Sequence, residues 1–555
     1  MKKTFALSAL LFFAFFAATF AGATLEVFLT AAFAADNSGE REFVFFVDNV
    51  ENRPAGSFEA GDIILEMNGV SLEGFTDLKK LSEKLFNAFE SGDISAVVFR
   101  NGKKISVSEK NFNDQSKSIS YNVLKKVPRY IDKNSLKADI ESLIPRIAET
   151  YVKYDSKKFA AAEQSFAAKL PAMLIGDKIP YTTAARTLLK FGALYGDGHF
   201  GLLASEIASD ALYELVAGCV PLFPLNVEVR RGVIYITRDG RKYKLKKING
   251  EDIESVANKI KEMIPNESEG FVDNEIETQF WFFYYLINGG CVKFKITAAD
   301  AGGETSFEVP GVSYSMIMRE RKANLKDYEF RIIDDTGIIS VNTFNFSDYS
   351  EYNYKNFLKK TFKKIREKKI AKLLIDIRKN NGGNTDYAVD LLLYLSDKPA
   401  VFWEATVLKC SRTAQDSGYT FEKGMKPGDI KKYEWYGGAG GANKNELEYN
   451  GRSVLLIGKN CFSTSLDFAV AFKKMGIGKT VGENTGGTRK STDRSVRVEL
   501  PSIGLKFCIP AKYYISADAG FDNDGTLAPD VLVAPDGKEF SAGDEMLKFA
   551  LDQLK

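Results

Sequence analysis

Residues 453–489 read SVLLIGKNCFSTSLDFAVAFKKMGIGKTVGENTGGTR, and the fold follows from them. SVLLIG is an apolar run of strand length closed by Gly458. In LDFAVAFKKM the apolar residues Leu466, Phe468, Ala469, Phe472 and Met475 recur at helical spacing. KTVGE then reads as a second buried strand, closed by the loop NTGGT. Between the first strand and the helix stands Ser463. Its hydroxyl is expected at a helix N-terminus, where unpaired N–H groups and the helix dipole favour developing negative charge. That suits a nucleophile. It also suits a plain N-cap, because serine is a preferred capping residue.

Two pieces of this stretch, CFSTS (461–465) and VGENTGG (481–487), together with their order and spacing, resemble the active-site segment of the tail-specific, or C-terminal processing, serine protease superfamily. The resemblance implies an α/β multidomain protein with a ClpP/crotonase-like catalytic core, and it places the nucleophile on Ser463. Upstream, IAKLLIDIR is an apolar strand that runs into KNNGGNTD, and DIRKNNGG is similar to the superfamily's Asp-x-Arg-x-Asn-x-Gly-Gly phrase. Adjacent glycines after a strand let backbone N–H groups turn toward a ligand. The resemblance makes Gly382 or Gly383 one half of an oxyanion hole and Thr464 the other. The match is continuous from Tyr328 to Val533, and the expected core spans residues 328–555.

His199, in GDGHF, is the only histidine of the 555 residues. In the tricorn-like branch of the superfamily a histidine at this place in chain order is the general base. The processing-protease branch instead uses a lysine after the nucleophile, and that position here is Thr488; Arg489 and Lys490 are shifted from it. A lysine base needs a depressed pKa, which the charged run TRKSTDR does not favour. The Ser–His reading is therefore preferred over a Ser–Lys dyad. The branch's acid lies near a C-terminal GxxPD phrase; here FDNDGTLAPDV offers Asp524 first and Asp522 second, without the glutamate of the family. A histidine base near its ordinary pKa of about 6.5 would let activity rise through roughly pH 6 to 7.

MKKTFALSALLFFAFFAATFAGA has the basic start, apolar core and small-residue end of a secretory signal, with cleavage expected after Ala23 or, preferably, Ala34. Residues 1–34 are read as the signal, so the mature protein is expected to be exported: periplasmic, extracellular or on the cell surface. A transient membrane association through this segment stays open. Residues 41–112 resemble a PDZ domain in the phrase RPAGSFEAGDIILEMNG. Residues 135–205 read as a helical domain carrying His199. Residues 221–312 read as a second α/β module, a degenerate PDZ-like one, whose helix ETQFWFFYYLI is expected to pack as core. Residues 409–450 are Gly-rich and aromatic, which suggests a lid or substrate-binding insertion.

A net charge of +2 without a basic cluster argues against nucleic acid as partner. The five cysteines are too scattered for a disulfide framework or a metal site. The expected protein is a serine endopeptidase acting on peptides or unfolded protein tails, with no cofactor or metal. Ser463 and His199 lie 264 residues apart (463 − 199), so the site would be assembled between domains. The alternatives are a degenerate peptide-binding adaptor and, less favoured, a crotonase-type acyl-thioester enzyme.

Overall fold

The computed structural model describes residues 15–20, 23–35, 41–51, 62–71, 94–100, 103–109, 130–210, 215, 220–324, 326–346, 348–435, 445–517, 525–533 and 544–555. The expected acids Asp522 and Asp524 lie outside the described residues. The described part of residues 15–109 forms a seven-stranded antiparallel sheet, in which the strands Phe15–Phe20 and Ala23–Ala35 pair with each other and then with Arg41–Glu51. Among the described residues no helix is long and apolar enough to cross a membrane.

The C-terminal half is built on a six-stranded sheet in sequence order: Tyr328–Ile333, Thr336–Val341, Lys372–Asp376, Arg452–Ile457, Gly478–Gly482 and Val531–Leu532. The first pair is antiparallel and every later pair is parallel. Parallel strands need crossovers, which cover both faces of such a sheet and make its strands read as unbroken apolar runs. Alternate residues obey this. Ile339, Leu373, Ile375, Leu455 and Ile457 face the helix Thr464–Lys474 and its neighbours. Ile338, Leu374, Val454 and Leu456 face the C-terminal helix Glu545–Asp552 through Leu547 and Ala550. Ser463 therefore stands at the C-terminal end of a central strand, at the start of a buried helix.

The residues before this sheet form a second core. Helices Lys133–Thr150, Ser156–Met173 and Tyr181–Ala193 pack with a second sheet, of residues 227–310, and with the long helix Glu269–Asn288. That helix buries Phe280, Trp281, Phe282, Phe283 and Tyr284, as its aromatic sequence suggests. His199 follows Tyr181–Ala193 in a turn at the edge of this core.

The two halves are interlocked by a hairpin. Arg497–Leu500 and Leu505–Cys508 pair antiparallel, and their Val498, Leu500, Leu505 and Phe507 join the core of the first half. Phe507 packs its ring against Phe191 at 5.9 Å and Phe200 at 5.6 Å, while Gly201 and Cys508 exchange backbone hydrogen bonds of 2.8 and 3.2 Å. The hairpin thus holds the turn after His199 directly.

Residues 409–450 behave differently from the sequence expectation. Ile430–Glu434 pairs with Trp403–Lys409, which pairs in turn with Lys512–Ser516. Tyr419, Phe421 and Tyr433 pack on Leu408, Ala414, Val496 and Ala511, and the Trp435 indole donates to Thr406 Oγ1 at 2.7 Å. Tyr419, Phe421 and Tyr433 thus act as scaffold, whereas Trp435 is 48% exposed and packs on the cleft-lining Trp403.

Phe507→Ala should cost about 3–5 kcal/mol, since it opens a cavity in a core shared by both halves. Phe549→Ala, at a position 37% exposed, should cost less than about 1 kcal/mol. Urea unfolding of the two variants checks the difference.

Candidate active site

The turn at Ser463 is strained. Its φ of 56° and ψ of −129° lie in a region that residues with a Cβ avoid, at a cost of about 1–3 kcal/mol. Its hydroxyl makes no capping hydrogen bond to the helix it precedes. The closing is done two residues on: Ser465 Oγ accepts from Phe462 N at 2.8 Å and donates to Asn380 O at 2.6 Å. The N-cap alternative for Ser463 is therefore not the one built here. A strained serine on a strand-to-helix turn, with its hydroxyl left unused, is the arrangement that exposes a nucleophile.

The glycine loop lies against this turn. Gly382 has φ +101°, and a Cβ there would sit 2.6 Å from Phe462 O and 3.1 Å from Thr464 N. The loop is pinned by Thr464 Oγ1, which donates to Gly383 O at 2.6 Å. The amides of the two glycines are not equivalent. Gly382 N donates to Asn380 Oδ1 at 2.8 Å, inside the loop. Gly383 is held by its neighbours' amides and carbonyls, with Phe344 N donating to Gly382 O at 2.9 Å and Asn384 N to Phe344 O at 2.7 Å. Of the two, the Gly383 amide is the one with no partner in the loop.

His199 reaches the same place from the other half. Its ring stacks on Phe462, the residue before Ser463, with centroids 4.4 Å apart and planes at 24°. His199 and Ser463 line one cleft of about 920 Å³, together with Gly382, Gly383 and Thr464. The imidazole is 6% exposed, and its Nδ1 has no hydrogen-bond partner among the described residues. No hydrogen bond joins Ser463 Oγ to the ring, a loose geometry common before substrate binds.

Two carboxylates missed in the sequence surround the imidazole. Asp197, Glu267 and His199 each present a polar atom within 4.8 Å of the others, a set that could also hold a small cation. Asp197 accepts the His199 backbone N–H at 3.0 Å, Thr492 Oγ1 at 2.7 Å and Tyr151 Oη at 2.9 Å, with Lys153 Nζ at 3.8 Å. Glu267 Oε2 accepts Gly198 N at 2.6 Å, and Oε1 accepts both N and Oγ1 of Thr488 at 3.0 Å. Glu267 thus ties the histidine turn to the loop after the serine helix.

Burial opposes ionisation of Asp197, but Lys153, His199 and Thr492 outweigh it and hold the carboxyl below its usual range. Burial, reinforced by the Asp197 charge, pushes Glu267 up to about 7 against the pull of the Gly198 and Thr488 amides. The His199 imidazole falls to about 4, chiefly from burial; Asp197 raises it, while Arg494 and Lys153 lower it further. The Arg494 guanidinium is close because it donates to His199 O at 2.7 Å.

Thr488, where a lysine base would stand, is engaged by Glu267. Lys490 meets this cluster through its carbonyl, which accepts Lys153 Nζ at 2.5 Å. Asp197 was legible in GDGH as a neighbour of His199, whereas nothing in PNESEGF separates Glu267 from an ordinary helix-start acid.

A strained serine at a helix N-terminus, a glycine loop folded against it and a buried histidine share one cleft at the edge of an α/β sheet. Residues 335–533 match the family model Peptidase family S41, a match that supports a likeness to the tail-specific protease superfamily. A probable CtpA-like serine protease of Staphylococcus saprophyticus is 25% identical over 251 residues, 43% of this chain; the chain spans 44% of that relative's length. A point mutant of CPAF is similar in fold, with a TM-score of 0.53, 13% identity, and coverage of 76% of this chain and 96% of that one. The photosystem II D1 C-terminal processing protease covers 74% of this chain and 96% of its own at 15% identity and a TM-score of 0.39.

Glu267→Ala leaves three donors of the interdomain contact unpaired and should lower stability by about 2–4 kcal/mol, against about 1 kcal/mol for Thr488→Val, which keeps the backbone bond. Equal losses in chemical denaturation would show that the carboxylate does not hold the halves together.

Proposed function

We propose that the protein is an exported serine endopeptidase that hydrolyses peptides or unfolded protein tails through Ser463, with His199 as general base. The observation that carries this reading is the strained Ser463 turn, with no capping bond, opposite the Gly382–Gly383 loop. Strain of this kind persists where the surroundings impose it, and it is a reason to look for function.

In the proposed reaction Ser463 Oγ attacks the peptide carbonyl carbon and gives its proton to the imidazole. The oxyanion is held by the Thr464 amide and the Gly383 amide; Gly382 shapes the loop, its own N–H being bound to Asn380. The imidazolium then protonates the leaving amine, and water hydrolyses the acyl-enzyme by the reverse path. Glu267 takes the orienting role expected of Asp524. Its Oε2 accepts one amide and keeps lone-pair capacity, and the carboxylate lies within 4.8 Å of an imidazole nitrogen, whereas Asp197's remaining capacity faces Lys153. The site needs both halves of the chain, in keeping with the division into a leader (1–34), PDZ-like (41–112), helical (135–205), second α/β (221–312) and core (328–555) segments. The PDZ-like modules are proposed as peptide-presenting or spacing elements.

The low histidine pKa moves the pH dependence expected from sequence. A base is active when unprotonated, and the folded imidazole stays neutral down to about pH 4. The acid limb of kcat/KM should therefore extend toward pH 4, where His199 takes up its proton, with a separate step near 7 where Glu267 does, because that limb reports groups of the free enzyme. His199→Ala should lose at least about 100-fold in kcat/KM, the usual worth of a general base, and Lys490→Ala should stay within about 3-fold of wild type. A pH–rate profile on a fluorogenic peptide checks both. An acid limb above pH 7, with an active His199→Ala and a dead Lys490→Ala, would restore the lysine dyad.

A further inference from the structure

One buried acid on the cleft wall has no task in this mechanism. Asp467 sits four residues after Ser463 on the same helix, its N–H donating to Ser463 O at 3.1 Å. Residues four apart lie on one helix face, one turn of about 5.4 Å from each other. Asp467 is 4% exposed and lines the cleft, and its Oδ1 has no hydrogen-bond partner among the described residues. Two aromatic residues line the cleft with it. Trp403 and Tyr514 stack at 4.5 Å, and the Trp403 indole N–H faces the Asp467 carboxyl.

A buried carboxyl without a counter-charge is costly, and it is pushed up to about 7 by burial, with only the Trp403 indole N–H pulling the other way. Among the described residues no cationic side chain acts on the Asp467 carboxyl; Lys379, which also lines the cleft, acts on Asp544 instead. The guanidinium of Arg494 is engaged by Glu206 at 2.7 Å and His199 O at 2.7 Å. Arg321 donates to Thr278 O. Lys512 Nζ lies over the Tyr514 ring at 4.8 Å and does not act on the Asp467 carboxyl. The carboxyl is flanked by aromatic rings that favour cations and lies one turn from Ser463.

We propose that Asp467, with Trp403 and Tyr514, forms a specificity subsite for a cationic side chain, lysine or arginine, on the residue whose carbonyl Ser463 attacks. This rests on the peptidase reading above and adds its substrate class. A substrate cation would supply the charge that the buried carboxyl lacks, and a long flexible side chain spans the one-turn distance.

The test uses the full-length protein and fluorogenic peptides that differ only at that residue: arginine, lysine, the neutral arginine isostere citrulline, and leucine. Arginine and lysine peptides should exceed citrulline in kcat/KM by at least about 10-fold, a difference typical of a desolvated charge pair. Asp467→Asn, a near-isosteric change, should bring the arginine-to-citrulline ratio close to 1. Benzamidine binding, followed by tryptophan fluorescence, provides a readout that needs no turnover and should weaken at least about 10-fold in Asp467→Asn. A wild-type protein that cleaves leucine and arginine peptides equally would overturn the subsite and leave the peptidase reading standing. Equal arginine and citrulline rates, or benzamidine affinity unchanged by Asp467→Asn, would overturn it as well. Saturable benzamidine binding that depends on Asp467, with no peptide cleaved, would support the subsite and refute the peptidase reading.

Discussion

The candidate site depends on one carboxylate. Glu267 belongs by sequence to the first half of the chain, yet its two oxygens accept from Gly198 beside the histidine and from Thr488 beyond the serine helix. Beside that bridge, His199 and Ser463 are held in register by ring stacking on Phe462, by the hairpin around Phe507, and by Thr492 on Asp197 and Arg494 on the His199 carbonyl. Supporting contacts surround it: Ser268 Oγ donates to Gly486 O at 2.6 Å, and Lys459 pairs with Glu277 at 2.6 Å. Each is modest alone. Together they dock a helix start onto a glycine loop, where small residues allow backbones to meet.

The same docking explains the electrostatics. Bringing the halves together buries a histidine and two carboxylates in one cluster, beside the partly exposed Lys153. Desolvation then disfavours each charge, and the proton distribution follows from which partner is nearest. Asp197, beside Lys153 and Thr492, stays ionised; Glu267, beside Asp197, resists ionisation; His199 is kept neutral. Groups whose environments drive their pKa values apart are a feature of acid–base sites. A neutral imidazole at ordinary pH is the form in which a base must wait.

The elements of the catalytic half were legible because they are local. The strand at 452–457, the helix at 464–474 and the strand at 478–482 follow apolar runs and helical spacing. Gly382 and Gly383 could be recognised as loop punctuation, and Ser463 by its place before a helix. Glu267 and Asp467 could not be found that way. One is an acid in a helix-start segment and the other an acid on an amphipathic helix, and only the tertiary packing leaves the first bridging two halves and the second without a partner. Tyr419, Phe421 and Tyr433 misled for a related reason. Aromatic content marks apolar contact but not its partner, and here the partner was a sheet edge of the same chain.

The central claim is that the strained turn makes Ser463 a nucleophile and that His199 activates it. Labelling with a fluorophosphonate probe, followed by mass mapping of the modified peptide, tests this without any assumption about substrate. The account predicts a single adduct on Ser463, formed rapidly at pH 6 and slowed by at least about 100-fold in His199→Ala. An adduct on Ser465, or labelling of Ser463 at the same rate with and without the histidine, would contradict it.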